Sequence, residues 1–236
     1  MSSWLALLVT LLLVQSSPGP QTRTDALADP TFYAVSYVET TASAVSKASA
    51  MLKQYRDASA KQDGFIAIDL FEQIGRPGHF VVYETWRDQK AFDARDGSAQ
   101  KQLLSGLQPL RVSDYDQRPY KTLAVKGVPG LGRSQAPRGA VYVIAHVDFA
   151  PNPQAQQAPA ALLTRLAEAS RQEAGNLRFD VTQHTMRANH FTVVEGWQNQ
   201  QAFDAHVAAA HTKQYRDTVQ PMTGSPLDER VYRSLD

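Results

Sequence analysis

Cysteine is absent from the 236-residue sequence. Disulfide bonds, thiolate catalysis and cysteine-ligated zinc are therefore excluded for this chain. An excess of charge of one sign is also lacking, because 24 Lys and Arg residues balance 23 Asp and Glu residues and leave a formal net charge of +1. No basic run or Lys/Arg stripe interrupts this balance, so neither a nucleic acid nor an anionic membrane surface is expected as a partner.

Three catalytic signatures are missing as well. The sequence contains no Gly-rich phosphate loop, no Gly-x-Ser-x-Gly elbow and no His-Glu-x-x-His. Nucleotide-dependent transfer, α/β-hydrolase chemistry and zincin proteolysis therefore have no motif to support them. Hydrophobic residues make up 43% of the chain, which is typical of a globular protein. The length suits two domains of about 100 residues each.

One apolar run lies near the N-terminus, from Leu5 to Val14. A run of this length is short of the ~20 residues that a membrane-spanning helix needs. It matches the core of a signal peptide, and the small residues Ser16 and Ser17 follow it. We therefore expect residues 1–22 to be a signal peptide and the protein to be secreted or periplasmic. The alternatives are a retained anchor and a buried N-terminal helix.

The chain contains one pattern twice. Residues 80–95 (FVVYETWRDQKAFDAR) and residues 191–206 (FTVVEGWQNQQAFDAH) are identical at nine of sixteen positions without a gap. The same offset carries Gly64 onto Gly175, and both glycines stand where a helix is expected to end. A repeat of about 100 residues indicates a duplicated domain rather than a solenoid unit.

Each copy predicts the element order β-α-β-β-α-β, from alternating Val/Tyr-rich segments and segments with apolar residues three to four apart. This is the ferredoxin-like unit, which covers only one sheet face with helices. We predict an α+β fold in which domains 30–123 and 140–236, joined by a Pro/Gly-rich linker at 124–139, pack sheet to sheet as a dimeric α/β barrel within one chain. His146 and His184 share strand faces with apolar residues and are expected at that sheet–sheet interface.

Strand parity places a carboxylate among apolar residues. Phe191, Val193, Glu195 and Trp197 alternate along one predicted strand and therefore share a face, and Glu84 occupies the same position in the first copy. A buried charge needs a partner or a proton. Glu195 is thus a candidate general base or ligand anchor, unless it pairs with an arginine or with strand-end backbone. Trp197 is either a core residue or a wall for a ligand.

Histidine distinguishes the copies. The second copy has His206 and His211, where an ungapped alignment places Arg95 and Gln100 in the first. An imidazole beside a buried glutamate would make an acid–base site. The alternative is a surface or capping histidine. On a continuous helix, residues five apart diverge by about 140°, so we predict no metal site from this pair.

The second copy resembles the antibiotic-biosynthesis-monooxygenase family, also called the quinol-monooxygenase type. The resemblance lies in Glu195-Gly-Trp197, in Phe203 and in the two histidines that follow, His206 and His211. The first copy keeps the Glu, Trp and Phe of this pattern but lacks both histidines. The resemblance covers nearly all of the chain beyond residue 30.

The resemblance implies a dimeric α/β barrel and, in the enzymes of the family, oxygenation without metal or flavin. Dioxygen is a triplet and reacts slowly with closed-shell organic molecules unless they are electron-rich anions. Such an enzyme needs a base, a hydrogen-bond donor for the oxyanion and aromatic walls. Glu195, His206 and Trp197 suit these roles, with His211 beside them. The predicted function is a cofactor-independent monooxygenase that acts on a small aromatic quinol or phenol and dioxygen.

Several alternatives stay open. The degenerate first copy and the export signal also suit a non-catalytic protein that binds a small ligand or serves a structural role. A neighbouring branch of the family degrades haem with an Asn on the first strand, and neither first strand here contains Asn. Isomerisation or ring closure is a further option, because a fold does not fix a function. Pairing of the two domains within the chain neither requires nor forbids association of two chains.

Overall fold

A computed structural model describes residues 29–126, 136–152 and 158–235. The predicted signal peptide and residues 127–135 of the predicted linker lie outside these ranges. None of the described helices is long and apolar enough to span a membrane. The first half consists of β1 (Phe32–Glu39), α1 (Val45–Ser59), β2 (Phe65–Gln73), β3 (His79–Trp86), α2 (Gln89–Ala94), α3 (Ser98–Leu107) and β4 (Asp116–Ala124). The second half consists of β5 (Val141–Asp148), α4 (Ala158–Ser170), β6 (Asn176–His184), β7 (His190–Trp197), α5 (Gln200–Ala208), α6 (Ala210–Val219) and β8 (Asp228–Ser234).

The eight strands form one closed antiparallel barrel in the order β1-β3-β2-β8-β5-β7-β6-β4. Each half contributes four adjacent strands. The halves meet at two seams, where β2 pairs with β8 and β4 pairs with β6. Closure removes the exposed strand edges that two separate sheets would leave. The predicted α+β class and the sheet-to-sheet barrel within one chain are therefore confirmed.

Two glycines fix the entry into the second strand of each half. Gly64 has φ +74° and Gly175 has φ +82°, a backbone region that side chains with a Cβ avoid. A Cβ on Gly175 would also lie 2.7 Å from the Cβ of Ala202 on α5. The glycines therefore allow the helix–strand turn to pack directly against the helix that follows the third strand.

The helix after the third strand is broken in both halves, whereas the sequence predicted a continuous one. Ala209 separates α5 from α6 with an extended backbone of φ −62° and ψ 145°. The helices α2 and α5 begin 111 residues apart, but α3 and α6 begin 112 apart, so the second half has one extra residue at the break. His211 therefore corresponds to Ala99, and the ungapped match to Gln100 is wrong by one residue.

Apolar side chains form three clusters. One lies between sheet and helices in each half, and the third fills the inside of the barrel. The interior cluster is rich in tyrosine, with members Tyr33, Tyr83, Tyr120, Tyr142 and Tyr232. Because successive strand residues face opposite sides, residues of the helix-facing layer are separated from this interior by the sheet itself.

At one end of the barrel the interior becomes polar. The Nε2 atom of His146 is hydrogen-bonded to the Tyr37 hydroxyl, and the Nε2 atom of His190 lies 2.9 Å from the Tyr120 hydroxyl. The ring of His184 lies 5.3 Å from the ring of Tyr120. The tyrosines belong to the first half and the histidines to the second, so these contacts tie the halves together. The predicted interface position of His146 and His184 is confirmed.

This histidine cluster makes stability depend on pH. Burial, helped by the nearby Arg118, lowers the pKa of His146 to about 3. An unfolded chain binds a proton at histidine near pH 6.5, so stability is lost as pH falls from 6.5 towards 3. Between pH 7 and pH 5 we expect His146 alone to cost about 2 kcal/mol of unfolding free energy. Urea unfolding at both pH values, in the wild type and in His146→Gln, measures this cost.

The expected result is that His146→Gln loses about 2 kcal/mol less than the wild type between the two pH values. Tyr37→Phe is the matched control, since it removes the hydroxyl partner but keeps the imidazole. It should retain the pH dependence of the wild type. If the wild type and His146→Gln lost equal unfolding free energy between pH 7 and pH 5, protonation of His146 would not be the cause of the pH dependence.

Candidate active site

The four residues predicted from the sequence come together on the helix-facing side of the second sheet. Glu195 and Trp197 lie two apart on β7 and share the buried face, as strand parity predicts. His206 comes from α5 and His211 from the first turn of α6. A fifth residue, Glu173, joins them from the loop between α4 and β6.

Glu195 is almost fully buried, at 5% exposure. Its Oε2 atom accepts a hydrogen bond from Trp197 Nε1 at 2.8 Å and lies 3.7 Å from His206 Nε2. Burial raises the pKa of Glu195 to about 8, although the indole hydrogen bond opposes the rise. The carboxyl group therefore holds a proton at neutral pH. Among the residues that the structure describes, its polar contacts are with the Trp197 indole and the His206 imidazole rather than with an arginine or with strand-end backbone.

His206 is held on three sides. Its ring stacks on the Trp197 indole, with ring centres 4.7 Å apart and planes at 26°. Its Nδ1 atom lies 2.6 Å from Glu173 Oε1 and 3.3 Å from the Thr212 hydroxyl, and its Nε2 atom faces Glu195. Burial lowers the pKa of His206, and the hydrogen bond to Glu173 partly offsets this. The imidazole is thus fixed between two carboxyl groups, one at each ring nitrogen.

His211 and Glu173 form the side of the site nearest to solvent. The His211 side chain is 32% exposed and that of Glu173 is 17% exposed, against 3% for His206. His211 Nε2 lies 2.9 Å from the same Glu173 oxygen that contacts His206. The break at Ala209 turns α6 so that both histidines reach one carboxylate, which a continuous helix would prevent.

Sequence reasoning missed Glu173. It stands in a loop, outside the strand and helix patterns that identified the other residues. Two signals in the sequence mark it. It lies two residues before Gly175, and the repeat places Gln62 at the same position in the first half.

Glu173, His206 and His211 each offer one atom of a type that binds metal ions, and these atoms lie within 4.8 Å of one another. Two imidazoles and a carboxylate are ligands that transition metals use. Hydrogen bonds from both imidazoles to a single carboxylate oxygen account for the present geometry. The sequence argument against a metal rested on a continuous helix, and that premise is wrong.

The first half keeps the acid but not the imidazoles. Glu84 is fully buried and accepts hydrogen bonds from Trp86 Nε1 at 3.1 Å and from the Tyr55 hydroxyl at 3.0 Å. Burial raises the pKa of Glu84 as well. Arg95 takes the place of His206 and lies over the Phe92 ring, 3.5 Å from its centre. The two halves therefore share a buried acid–indole pair, and the second half alone combines it with imidazole.

Comparison with known proteins agrees with this architecture. The profile of the family described as antibiotic biosynthesis monooxygenase matches residues 31–102 and 142–218, more than half of the chain. No curated protein matches at a significant level.

Three solved structures share the tandem fold. A monooxygenase candidate from Fusobacterium nucleatum has a TM-score of 0.73 at 13% identity, covering 87% of this chain and 93% of its own. A monooxygenase candidate from Lactobacillus acidophilus has a TM-score of 0.69 at 14% identity, covering 88% and 95%. An anthrone oxidase-like protein has a TM-score of 0.66 at 13% identity, covering 88% and 94%. At these identities the likeness concerns the fold alone.

Proposed function

Because the chain belongs to the antibiotic biosynthesis monooxygenase family, we propose that its second half oxygenates a small aromatic quinol or phenol without a bound cofactor. The observation that carries the proposal is the contact between Glu195 and His206. Their Oε2 and Nε2 atoms lie 3.7 Å apart, both side chains are almost fully buried, and the Trp197 indole covers one face of the imidazole.

The chemistry needs an electron-rich anion beside dioxygen. Loss of the phenolic proton to the Glu195–His206 pair produces this anion, and the water-poor surroundings strengthen each hydrogen bond to it. The anion then supplies electrons to dioxygen. One oxygen atom replaces two hydrogens of the substrate to give a quinone, and the other oxygen leaves as water, so four electrons pass from substrate to dioxygen. In this proposal Trp197 serves as an aromatic wall, and His211, whose side chain is 32% exposed, lies where the site meets solvent.

The first half supports this assignment by contrast. It retains the buried acid and indole as Glu84 and Trp86, which are hydrogen-bonded to each other. An acid–indole pair can therefore be part of the packed core without an imidazole beside it. The imidazole is what the second half adds, and the imidazole is the group that exchanges protons near neutral pH. We therefore assign the activity to the second half.

Oxygen uptake tests the proposal directly. The full chain is mixed with anthrone or with a naphthohydroquinone, and dioxygen consumption is followed with an electrode. We expect saturable uptake above the spontaneous rate and, under ¹⁸O₂, one labelled oxygen in the quinone product. If the protein consumed dioxygen with anthrone and with the naphthohydroquinone no faster than buffer does, the proposal would be contradicted. Thermal stabilisation by the same compounds without uptake would favour the binding protein instead.

A further inference from the structure

We infer that His206 takes the substrate proton through Nε2, that Glu195 donates a hydrogen bond to the anion so formed, and that Glu173 is the positioning residue that sets these roles. The inference rests on the proposed function. It differs from the expectation drawn from the sequence, in which the glutamate was the base and the histidine the donor.

The contacts of Glu173 determine the tautomer of His206. Glu173 Oε1 lies 2.6 Å from His206 Nδ1 and 2.9 Å from His211 Nε2. A carboxylate oxygen only accepts hydrogen bonds, so both imidazole nitrogens that face it carry a hydrogen. In neutral His206 the lone pair is then on Nε2, the nitrogen that faces Glu195. The proton-accepting atom therefore points into the buried side of the site.

Glu195 is placed as a donor. It is buried against the Trp197 indole, which donates to its Oε2 atom, and no arginine pairs with it in the part of the chain that the structure describes. Burial is the main cause of the raised pKa of Glu195, and the carboxylates of Glu229 and Glu173 add to it, against the opposing effects of the indole hydrogen bond and of Arg216. The carboxyl group therefore keeps its proton at neutral pH and can donate it in a hydrogen bond, as an oxyanion requires.

The proton transfer balances without a further reactant. The substrate O–H bond breaks, its electron pair stays on the oxygen, and the proton bonds to His206 Nε2. His206 becomes an imidazolium whose positive charge lies against the Glu173 carboxylate, in the arrangement by which a carboxylate supports a catalytic histidine. The Glu195 O–H then donates to the phenolate oxygen. Net charge is unchanged, because one negative charge on the substrate accompanies one positive charge on the imidazole.

The duplication provides an independent observation. At the positions of Glu173 and His206 the first half has Gln62 and Arg95, while the buried acid and the indole are kept as Glu84 and Trp86. The carboxylate and the imidazole thus differ together between the halves, as expected for two residues that act as one unit. The buried acid is retained without them, as expected for a neutral group that also serves packing.

Nitrogen-15 NMR of the histidine side chains in the full chain tests the tautomer without any substrate. We expect neutral His206 to carry its hydrogen on Nδ1 in the wild type. In Glu173→Gln the Nε2–H tautomer should become populated, because a neutral amide holds the Nδ1 hydrogen less strongly. Glu168→Gln is the matched control, since this exposed acid lies on α4, and the wild-type tautomer should persist in it. The inference would be overturned if His206 carried its hydrogen on Nε2 in the wild type. It would also be overturned if His206 had the same tautomer in the wild type and in Glu173→Gln.

Oxygen-uptake kinetics with anthrone test the roles. Glu173→Gln removes a charged hydrogen-bond partner of the imidazolium and should lower kcat about 10- to 100-fold with little change in KM. Glu173→Asp should recover part of this loss. Glu195→Gln should retain kcat within about tenfold, because an amide still donates, whereas loss of a general base costs about 10²- to 10⁴-fold. Glu168→Gln should match the wild type.

The two proposals fail in different ways. Absence of oxygen uptake in the wild type contradicts the proposed function, and the NMR result then decides the arrangement of Glu173 and His206 alone. Uptake in the wild type that survives Glu173→Gln but is abolished by Glu195→Gln would keep the function and overturn the assignment of roles. Urea unfolding of each variant separates loss of activity from loss of structure.

Discussion

Replacing Arg178 with methionine is expected to lower the free energy of unfolding by about 3–5 kcal/mol. Arg178 lies inside the barrel with only 5% of its side chain exposed. Its Nη1 atom donates to Asp69 Oδ2 at 2.7 Å, and its Nε donates to Asp180 Oδ2 at 2.5 Å. Its guanidinium also lies 5.0 Å from the centre of the Tyr83 ring. Methionine fills a similar volume but leaves the buried carboxylate of Asp180 and the partly buried carboxylate of Asp69 without this cation.

The contact joins the halves, because Asp69 lies on β2 while Arg178 and Asp180 lie on β6. Urea unfolding measures the effect, and a triple variant with Arg178→Met, Asp69→Asn and Asp180→Asn serves as the test of mechanism. It removes the cation and both negative charges together, so it should recover most of the lost stability. If the triple variant were no more stable than Arg178→Met, lost packing rather than uncompensated charge would be the cause.

A surface pair provides the matched control for this prediction. Arg87 contacts Asp63 at 3.1 Å, and its side chain is 54% exposed. Arg87→Met should therefore lower the free energy of unfolding far less than Arg178→Met does, because solvent screens the pair. Equal costs for the two arginine variants would show that burial does not set the strength of these contacts.

His206→Ala should lower the kcat of oxygen uptake with anthrone by about 10²- to 10⁴-fold, the range for loss of an acid–base group. The imidazole lies between the two carboxyls and stacks on the indole, so it is the group placed to accept the substrate proton. The truncation leaves Glu195 and Trp197 hydrogen-bonded to each other, and we expect substrate binding to weaken less than turnover. Steady-state kinetics at several anthrone concentrations separate the two effects.

Arg95→Ala is the control from the first half. It truncates the residue that occupies the position of His206 in the twin domain, and it should leave oxygen uptake unchanged. If Arg95→Ala and His206→Ala lost oxygen uptake to a similar extent, the activity could not be assigned to the second half alone. A His206→Ala enzyme as fast as the wild type would remove the basis of the proposed function.

The fold could be predicted from the sequence because its signals are local and occur twice. Nine identities over residues 80–95 and 191–206 identified the duplication, and alternation along each segment identified the strands. The open face of each ferredoxin-like sheet then required a cover, which the other copy supplies. The break between α5 and α6 could not be predicted in this way. It depends on one extended residue, Ala209, which stands between Ala208 and Ala210, and alanine has the highest intrinsic helix propensity.

The site was only partly predictable for a related reason. Strand parity is a two-residue rule, so it predicted that Glu195 and Trp197 share one face of their strand. Glu173 reaches His206 across 33 positions of sequence, and it reaches His211 as well only because α6 turns at the break. No periodic pattern reports such a contact. The same holds for Arg178, whose partner Asp69 belongs to the other half of the chain.

Because the barrel closes within a single chain, the pairing of its two sheets does not depend on protein concentration. The two sheets are already joined by covalent bonds, so their pairing is an intramolecular event governed by effective concentration and does not follow mass action. The barrel should therefore stay assembled at protein concentrations where a pair of separate single-domain chains would dissociate. A linked pair also lets one domain lose its imidazole while the other keeps it, whereas two identical subunits would have to change together.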